Sequence, residues 1–273
     1  MALPATIAPD THAMEPADSL ETLLAAAGFS PSSRQIAQLE AYRDLLHLRN
    51  QVTNLTAVRD LNGIERRLIL ESARLVAPIL SLPHGPANGA PRLLDLGTGG
   101  GIPGMVLAIA CPELRVTLLD ATGKKVAFLG EAIQALELEH VSTLHGRAEE
   151  IGHDPRWRNQ FDIVTARAVA TLPALLELGL PLVRTGGHLV LPKGTGIEDE
   201  LQQAERAAAI LGAGIVSAEL LPDAGSTIDT RLVIVRKVAT TPGTCPRRSG
   251  LPTRNPLGAA PHAGRRNPTE GDA

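Results

Sequence analysis

The chain has 273 residues, of which 44% are apolar and 20% charged, and its formal net charge is −3. This composition fits a globular protein of one large or two small domains. It excludes a membrane-spanning protein, because no apolar run approaches the ~20 residues of a membrane helix. The first 18 residues lack the features of a secretory signal or a transit peptide, so we expect a cytoplasmic protein.

The N-terminal third has the pattern of a helical segment. Residues 1–18 are rich in Pro and Ala without an apolar period, which predicts a disordered extension. Residues 19–90 then contain three helix signals. These are an Asp18 cap and a Gly28 terminator for the first helix, Ser30-Pro31 at the start of the second, and an apolar period over residues 61–80 for the third. The buried stripe of the second helix would be Ile36, Leu39, Tyr42 and Leu46.

From Arg92 onward, short apolar runs alternate with amphipathic helical patterns. The runs that predict strands are RLLDL (92–96), RVTLLD (115–120), VSTLHG (141–146), FDIVTAR (161–167), HLVLPKG (188–194), GIVSAELL (214–221) and TRLVIVRKV (230–238). Repeated βα units predict an α/β domain over 91–238, a parallel sheet with helices on both faces. The last two strands have no helix between them, so one of them should run antiparallel at the end of the sheet.

The composition changes again at the C-terminal end. Residues 237–273 contain six Pro and five Gly, with six basic and two acidic side chains, whereas the rest of the chain carries a net charge of −7. We therefore expect a disordered basic tail over 239–273. An acidic globule with a basic tail indicates a nucleic-acid partner.

A glycine-rich turn follows the first predicted strand, in Asp95-Leu-Gly-Thr-Gly-Gly-Gly-Ile-Pro-Gly104. Glycines such as Gly97 and Gly99 let a ligand approach the backbone closely. Gly99-x-Gly101-x-x-Gly104 matches a dinucleotide fingerprint, which is a weak signal by itself. However, Asp95 would repel a pyrophosphate, and Pro103 lacks an amide. An acid at this point suits a cofactor with a cationic head, such as S-adenosylmethionine.

Asp120 ends the second predicted strand, 23 residues after Gly97. This spacing is typical of an acid that binds ribose hydroxyls. Both candidate cofactors contain such a ribose, so Asp120 does not distinguish them.

Several motifs in order resemble the RsmG (GidB) family, bacterial methyltransferases of small-subunit ribosomal RNA. The resemblance covers roughly residues 20–257. Its motifs are the glycine turn (95–104), LLDATGKKVAFL (118–129), GRAEE (146–150), FDIVTARAVATL (161–172), NLTAVRD (54–60), LPKG (191–194) and PRRSGLP (246–252). The resemblance implies a class I methyltransferase fold with a seven-stranded, mostly parallel sheet, S-adenosylmethionine as cofactor, and N7 of a guanine in 16S ribosomal RNA as target.

The resemblance also implies site residues by position. Gly97 and Ile102 would line the cofactor, Ala148 and Glu149 would hold its adenine end, and Arg167 would reach the mouth of the active site. One departure concerns the third helix, where the family commonly has Arg-His-x-x-Asp-Ser and this chain has Arg67-Leu-Ile-Leu-Glu-Ser72.

The basic residues each have two interpretations. Arg167 would bind RNA phosphate or a guanine edge, or else form a salt bridge with Glu149 or Asp162. Lys193 has the same two roles open to it. Arg247 and Arg248 would contact RNA phosphates or be solvated charges of the tail. With only five aromatic residues, base stacking is not the expected main mode.

Ring nitrogen N7 has a free lone pair at neutral pH, so we predict no catalytic base and expect alignment of the reactants to dominate. We expect Cys111 to be buried and Cys245 to be an incidental thiol in a flexible tail. The eight histidines lack metal-ligand spacing, so no metal is predicted. We also expect a monomer.

Two other functions remain open at this point. One is a nicotinamide-dependent oxidoreductase that uses the glycine fingerprint. The other is a non-catalytic RNA-binding assembly factor, suggested by Leu68 at the position of the family's histidine.

Overall fold

The computed structural model describes residues 19–83 and 89–259, apart from positions 224 and 227. The predicted disorder of 1–18 and of 260–273 concerns residues outside these ranges. The strands are β1 Arg92–Leu96, β2 Arg115–Asp120, β3 Val141–His145, β4 Phe161–Thr165, β5 Val183–Lys193, β6 Ala213–Leu220 and β7 Arg231–Lys237.

These strands form one seven-stranded sheet in the order β3-β2-β1-β4-β5-β7-β6. The pairs β3-β2, β2-β1, β1-β4 and β4-β5 are parallel, whereas β7 is antiparallel to both β5 and β6. The prediction of an α/β domain with one antiparallel strand is therefore confirmed, but that strand, β7, lies between β5 and β6 and not at the end of the sheet. β5 begins earlier than predicted, at Val183 rather than His188.

Helices cover both faces of the sheet. They are α1 Leu20–Ala26, α2 Ser33–Asn50, α3 Leu61–Gly63, α4 Glu71–Ala73, α5 Val76–Ser81, α6 Gly104–Ala110, α7 Gly123–Ala135, α8 Ala148–Ile151, α9 Leu172–Gly179, α10 Glu198–Leu211 and α11 Leu251–Arg254. One buried apolar cluster joins the N-terminal helices with α6 and α7. A second cluster on the opposite face includes α9, α10 and residues near the C-terminal end.

The first two helices begin at other caps than predicted. α1 is capped by Ser19, whose Oγ accepts from the amide of Thr22. The predicted cap, Asp18, lies outside the described residues. α2 is capped by Ser32 and not by Ser30, because Ser32 and Gln35 form a reciprocal capping box. The predicted stripe of α2 is largely correct, since Leu39, Tyr42 and Leu46 are fully buried.

The predicted third helix is not continuous. A π-helical stretch, Ile64–Leu70, separates α3 from α4, and a turn at Arg74-Leu75 separates α4 from α5. Pro78 has no amide to donate to the carbonyl of Arg74, so the helical hydrogen-bond ladder cannot run through this turn. The interruption places Glu71 and Arg74 in a buried ion pair with an Nη1–Oε2 distance of 2.8 Å.

The C-terminal residues 239–259 are packed on the domain, so the prediction of a disordered tail is wrong for them. Thr241, Cys245 and Pro252 are buried. We name residues 241–256 the C-terminal strap. The disorder prediction rested on Pro and Gly content, but this content is offset here by long-range polar contacts described below. Cys245 is therefore a buried thiol, and Cys111 is buried as predicted.

Candidate functional site

The site is built at the carboxyl ends of four neighbouring strands. β3, β2, β1 and β4 are adjacent and parallel, with Asp95 in register with Leu118 and Thr165, and Asp120 with His145. The loops after these strands therefore meet at one edge of the sheet. This edge includes the switch point of the strand order, where ligands bind in open α/β sheets.

The turn after β1 has a backbone that only glycine adopts readily. Gly97 has φ +70°, and a Cβ there would lie 2.7 Å from Cγ2 of Val169, in the loop after β4. Gly99 and Gly101 also have positive φ. α6 begins at Gly104, with Pro103 as the residue before it and not as its first residue. A Cβ at Gly104 would lie 2.7 Å from Oδ2 of Asp95.

Asp95 is fully buried beneath this turn. Its Oδ2 accepts hydrogen bonds from Oγ1 of Thr98 at 2.5 Å and from the amide of Gly104 at 2.8 Å. Its Oδ1 is buried and has no protein partner among the described residues. Burial raises the pKa of Asp95 to about 6, although the hydrogen bonds from Thr98 and Gly104 act in the opposite direction. Asp95 therefore has one carboxylate oxygen that none of the described residues satisfies.

The amides of the turn are almost all used within the protein. The amides of Gly97, Thr98, Gly99, Gly101, Ile102, Gly104 and Met105 each donate to a protein oxygen. A pyrophosphate site needs such amides to point at the ligand. Here, two of them point at the carboxylates of Asp95 and Asp120 instead. The turn therefore does not offer an anion site, which argues against a dinucleotide and fits the cationic head of S-adenosylmethionine.

Asp120 lies at the end of β2, beside the turn. Its Oδ2 accepts from the amide of Gly99 at 2.9 Å, and its Oδ1 accepts from the amide of Thr122 at 2.8 Å. The ammonium of Lys125 is 3.9 Å from Oδ2. These contacts fix the carboxylate in one orientation. Carboxylate oxygens accept more than one hydrogen bond, so ribose hydroxyls fit here.

Helix α2 and the loop after it support the turn from outside. The buried hydroxyl of Tyr42 donates to the carbonyl of Gly100 at 2.7 Å. A Cβ at Gly99 would lie 3.3 Å from the carbonyl oxygen of Leu55. The loop that carries Leu55 is organised by buried Asn50, whose Oδ1 accepts from the amides of Leu55 and Thr56. Tyr42 was predicted only as a core residue, and no local pattern shows its contact with Gly100, 58 residues away.

Ala148 and Glu149 begin α8, shortly after β3. Both are partly buried. Oε1 of Glu149 accepts from the amide of Gly250 in the C-terminal strap at 2.8 Å. The structure thus brings Ala148 and Glu149 to the same edge as Gly97, Ile102 and Asp120.

A small cavity of about 100 Å³ opens beside the turn, next to β4 and β5. Its lining includes Glu71, Pro103, Arg167 and Lys193. Burial lowers the pKa of Arg167, and the charge of Arg67 acts in the same direction. Nη2 of Arg167 donates to the carbonyl of Arg67 at 2.6 Å, whereas its buried Nη1 has no described protein partner.

The salt-bridge partners considered for Arg167 are engaged elsewhere. Asp162 binds Arg184, with an Nε–Oδ1 distance of 2.6 Å, and Glu149 binds the strap. Lys193 is held by Glu200 at 3.0 Å, with a longer contact of 3.3 Å to the carbonyl of Ala170.

Arg247 and Arg248, which are adjacent in the strap, differ sharply. Arg247 forms an ion pair with buried Glu177, with an Nη2–Oε2 distance of 2.6 Å, and it is not a solvated charge. Arg248 is exposed. Leu68, which replaces the family's histidine, is buried in the core.

Within the described residues, no group of three or more His, Cys, Asp or Glu side chains is arranged to hold a metal ion. None of the described helices combines the length and apolarity needed to cross a bilayer.

A sequence profile of the family described as "GidB: rRNA small subunit methyltransferase G" matches residues 35–223. The chain belongs to this family. A "Ribosomal RNA small subunit methyltransferase G" of Roseiflexus castenholzii is 42% identical over 240 residues, which are 88% of this chain and 99% of that protein. The protein of the same name from Chloroflexus aggregans is 43% identical over 230 residues, 84% of this chain and 93% of that one.

Among solved structures, the antibiotic-resistance methyltransferase Kmr has a TM-score of 0.45 at 20% identity, covering 56% of this chain and 89% of that chain. Family membership establishes a class I methyltransferase fold and S-adenosylmethionine as the cofactor. The oxidoreductase hypothesis is not favoured.

Proposed function

We propose that this chain transfers the methyl group of S-adenosylmethionine to N7 of a guanine in 16S ribosomal RNA. Family membership supports an rRNA methyltransferase of the small subunit. Beyond family membership, we propose which guanine atom is methylated and which residues bind the cofactor and the RNA. We also propose that the enzyme acts as a monomer in the cytoplasm, where ribosomal subunits are assembled.

The observation that carries the proposal is that two amides of the glycine turn donate hydrogen bonds to the carboxylates of Asp95 and Asp120. Asp95 keeps one buried oxygen unpaired, which suits the ammonium of the cofactor. Asp120 lies at the next strand end, where the ribose hydroxyls would bind. Gly97 and Gly99 give the turn its positive-φ backbone beside the proposed site, Ile102 would add an apolar contact, and Ala148 and Glu149 lie where the adenine would bind.

When bound, the cofactor supplies an electrophilic methyl group on a sulfonium. The residues of this chain then need only hold the guanine in line with it, because N7 already has its lone pair. Proximity and alignment of this kind account for large rate effects. No residue is proposed to remove a proton.

Arg167 is proposed to contact the guanine or its phosphate at the mouth of the site. Its buried Nη1 has no described partner and would donate to O6 of the guanine, which leaves the lone pair of N7 free to attack the methyl group. Lys193 lines the same cavity and would add positive charge near the RNA backbone. Exposed Arg248 would contact a phosphate. Arg247 is not proposed as an RNA contact, because Glu177 already occupies its guanidinium.

The test is a methyl-transfer assay with labelled S-adenosylmethionine and small ribosomal subunits that lack the modification. The RNA is digested and the labelled nucleoside is identified. We expect label in 7-methylguanosine, and little or none with Gly97→Val, whose side chain would collide with Val169. Label in another nucleoside would reject the assignment to N7. Cofactor-independent RNA binding without label would favour the assembly-factor hypothesis.

A further inference from the structure

The C-terminal strap is fixed to the domain by a dense set of polar contacts. Arg158, after α8, donates Nη1 to the carbonyl of Cys245 at 2.8 Å and Nη2 to the carbonyls of Thr241 and Pro242 at 2.9 and 3.0 Å. Nε2 of His153 lies 2.7 Å from the carbonyl oxygen of Pro246. The start of the strap is therefore held along the segment that follows α8.

A buried ion pair fixes the middle of the strap. The side chain of Glu177, in α9, is fully buried and accepts from the backbone amide of Arg247 at 2.8 Å and from its Nε at 2.7 Å. Nη2 of Arg247 also donates to the carbonyl of Asn255 at 2.7 Å. We call the two hydrogen bonds from the guanidinium of Arg247 to Glu177 the fork. It requires the planar guanidinium, which a lysine cannot reproduce.

The strap then reaches the proposed cofactor site. Gly250 lies three residues after Arg247, has φ +75°, and donates its amide to Oε1 of Glu149 at 2.8 Å. Oε2 of Glu149 has no hydrogen-bond partner among the described residues. A glutamate at the start of a four-residue helix would otherwise sample several rotamers. The strap therefore selects one of them.

We infer that the C-terminal strap positions Glu149 for the adenine end of the cofactor, with Arg247 as the positioning residue that holds the strap. The inference rests on the proposed function, since Glu149 is placed at the cofactor there. Oε1 is used by the strap, so Oε2 is the oxygen left to accept from the exocyclic amine of adenine. Arg247 itself touches neither cofactor nor RNA.

The first measurement is the affinity of the full-length protein for S-adenosylmethionine by calorimetry. Arg247→Lys keeps the charge opposite Glu177 but loses the fork. We expect about tenfold weaker binding, because Glu149 regains several rotamers in the variant and cofactor binding must then fix one of them. Arg206→Met is the matched control, because it removes another contact of the C-terminal residues, from Nε to the carbonyl of Gly258 at 2.7 Å. Its affinity should match that of the unmodified chain.

A double-mutant cycle with Glu149→Ala separates positioning from general support. If the strap acts through Glu149, Arg247→Lys weakens binding in the unmodified chain but not in the Glu149→Ala background. Equal weakening in both backgrounds would show a general structural effect and overturn the inference, as would no weakening at all. If Arg247→Lys does not fold, Gly250→Ala, which strains the φ +75° residue that donates to Glu149, enters the same cycle.

The outcome for the proposed function is read separately. If the unmodified chain does not bind S-adenosylmethionine, the proposed function fails and this inference fails with it. If the unmodified chain binds and methylates but the cycle shows no coupling, only the inference is rejected.

Discussion

Replacing Asp95 by Asn tests the electrostatic role assigned to the glycine turn. Asp95 is fully buried, and burial raises its pKa from 3.8 to about 6 in the folded protein. Asn keeps an oxygen that accepts from Thr98 and Gly104, but it carries no charge. The variant therefore removes the cost of burying a carboxylate while it preserves the shape of the turn.

The sign of the effect follows from proton linkage. Between pH 3.8 and about 6, the folded protein holds a proton on Asp95 that the unfolded chain has lost, so stability falls as the pH rises. Above about pH 6 the penalty is constant, at about 3 kcal/mol for a shift of about two pKa units. About 2 kcal/mol of this penalty on the free energy of unfolding develops between pH 4.5 and pH 7.5.

The assay is urea unfolding of both proteins at a series of pH values from 4.5 to 7.5. The free energy of unfolding of the Asn variant should gain about 2 kcal/mol relative to the original chain across this range. Parallel pH profiles for the two proteins would refute the argument, because Asp95 would then not titrate in the window. The difference between profiles cancels the other titrating groups.

The same substitution has an opposite effect on ligand binding. The proposed contact of ionised Asp95 with a cationic cofactor predicts that affinity falls about tenfold per pH unit below about pH 6. In the Asn variant the affinity should be weak and independent of pH over this range. Calorimetric titration with S-adenosylmethionine measures both.

Three further substitutions probe separate parts of the site. Tyr42→Phe leaves the buried carbonyl of Gly100 unpaired and should lower the free energy of unfolding by about 1–3 kcal/mol, measured by chemical denaturation; no change would mean that the contact is not formed. Arg167→Gln should reduce kcat/KM for methyl transfer about 10- to 100-fold, the effect of losing a hydrogen bond from a charged group at about 1.5–3 kcal/mol, and normal kinetics would remove Arg167 from the site. Arg248→Gln should make the salt dependence of RNA binding shallower by about 0.7–0.9 in the log–log slope, whereas an unchanged slope would identify Arg248 as a solvated charge.

The sheet was predictable because its signals are local. Each strand is a short apolar run, and each turn or helix between strands has its own glycine, proline or amphipathic pattern. The register of parallel strands then brings Gly97, Asp120, Ala148 and Arg167 to one edge, as strand order alone requires. Their individual roles stay predictions until they are tested.

The wrong predictions have two causes. Some helix starts depend on which of several nearby residues forms the cap, and some segments are ordered by contacts with residues far away in the sequence. Ser30-Pro31 was predicted to start α2, but the reciprocal hydrogen bonds of Ser32 with Gln35 place the cap at Ser32. The strap was predicted to be disordered from its composition. Its order depends on Glu177 and Arg247, which are 70 residues apart and have no local pattern in common.

The reversed direction of β7 affects the order in which the protein is completed. Because β7 is antiparallel to β5, the chain leaves the sheet at the end opposite to the glycine turn. Residues 241–256 then return along the outside to Glu149. During synthesis, the strap leaves the ribosome only after all seven strands. All strands of the described sheet are therefore synthesised before Gly250, so the hydrogen bond that holds Glu149 cannot form until synthesis is nearly complete.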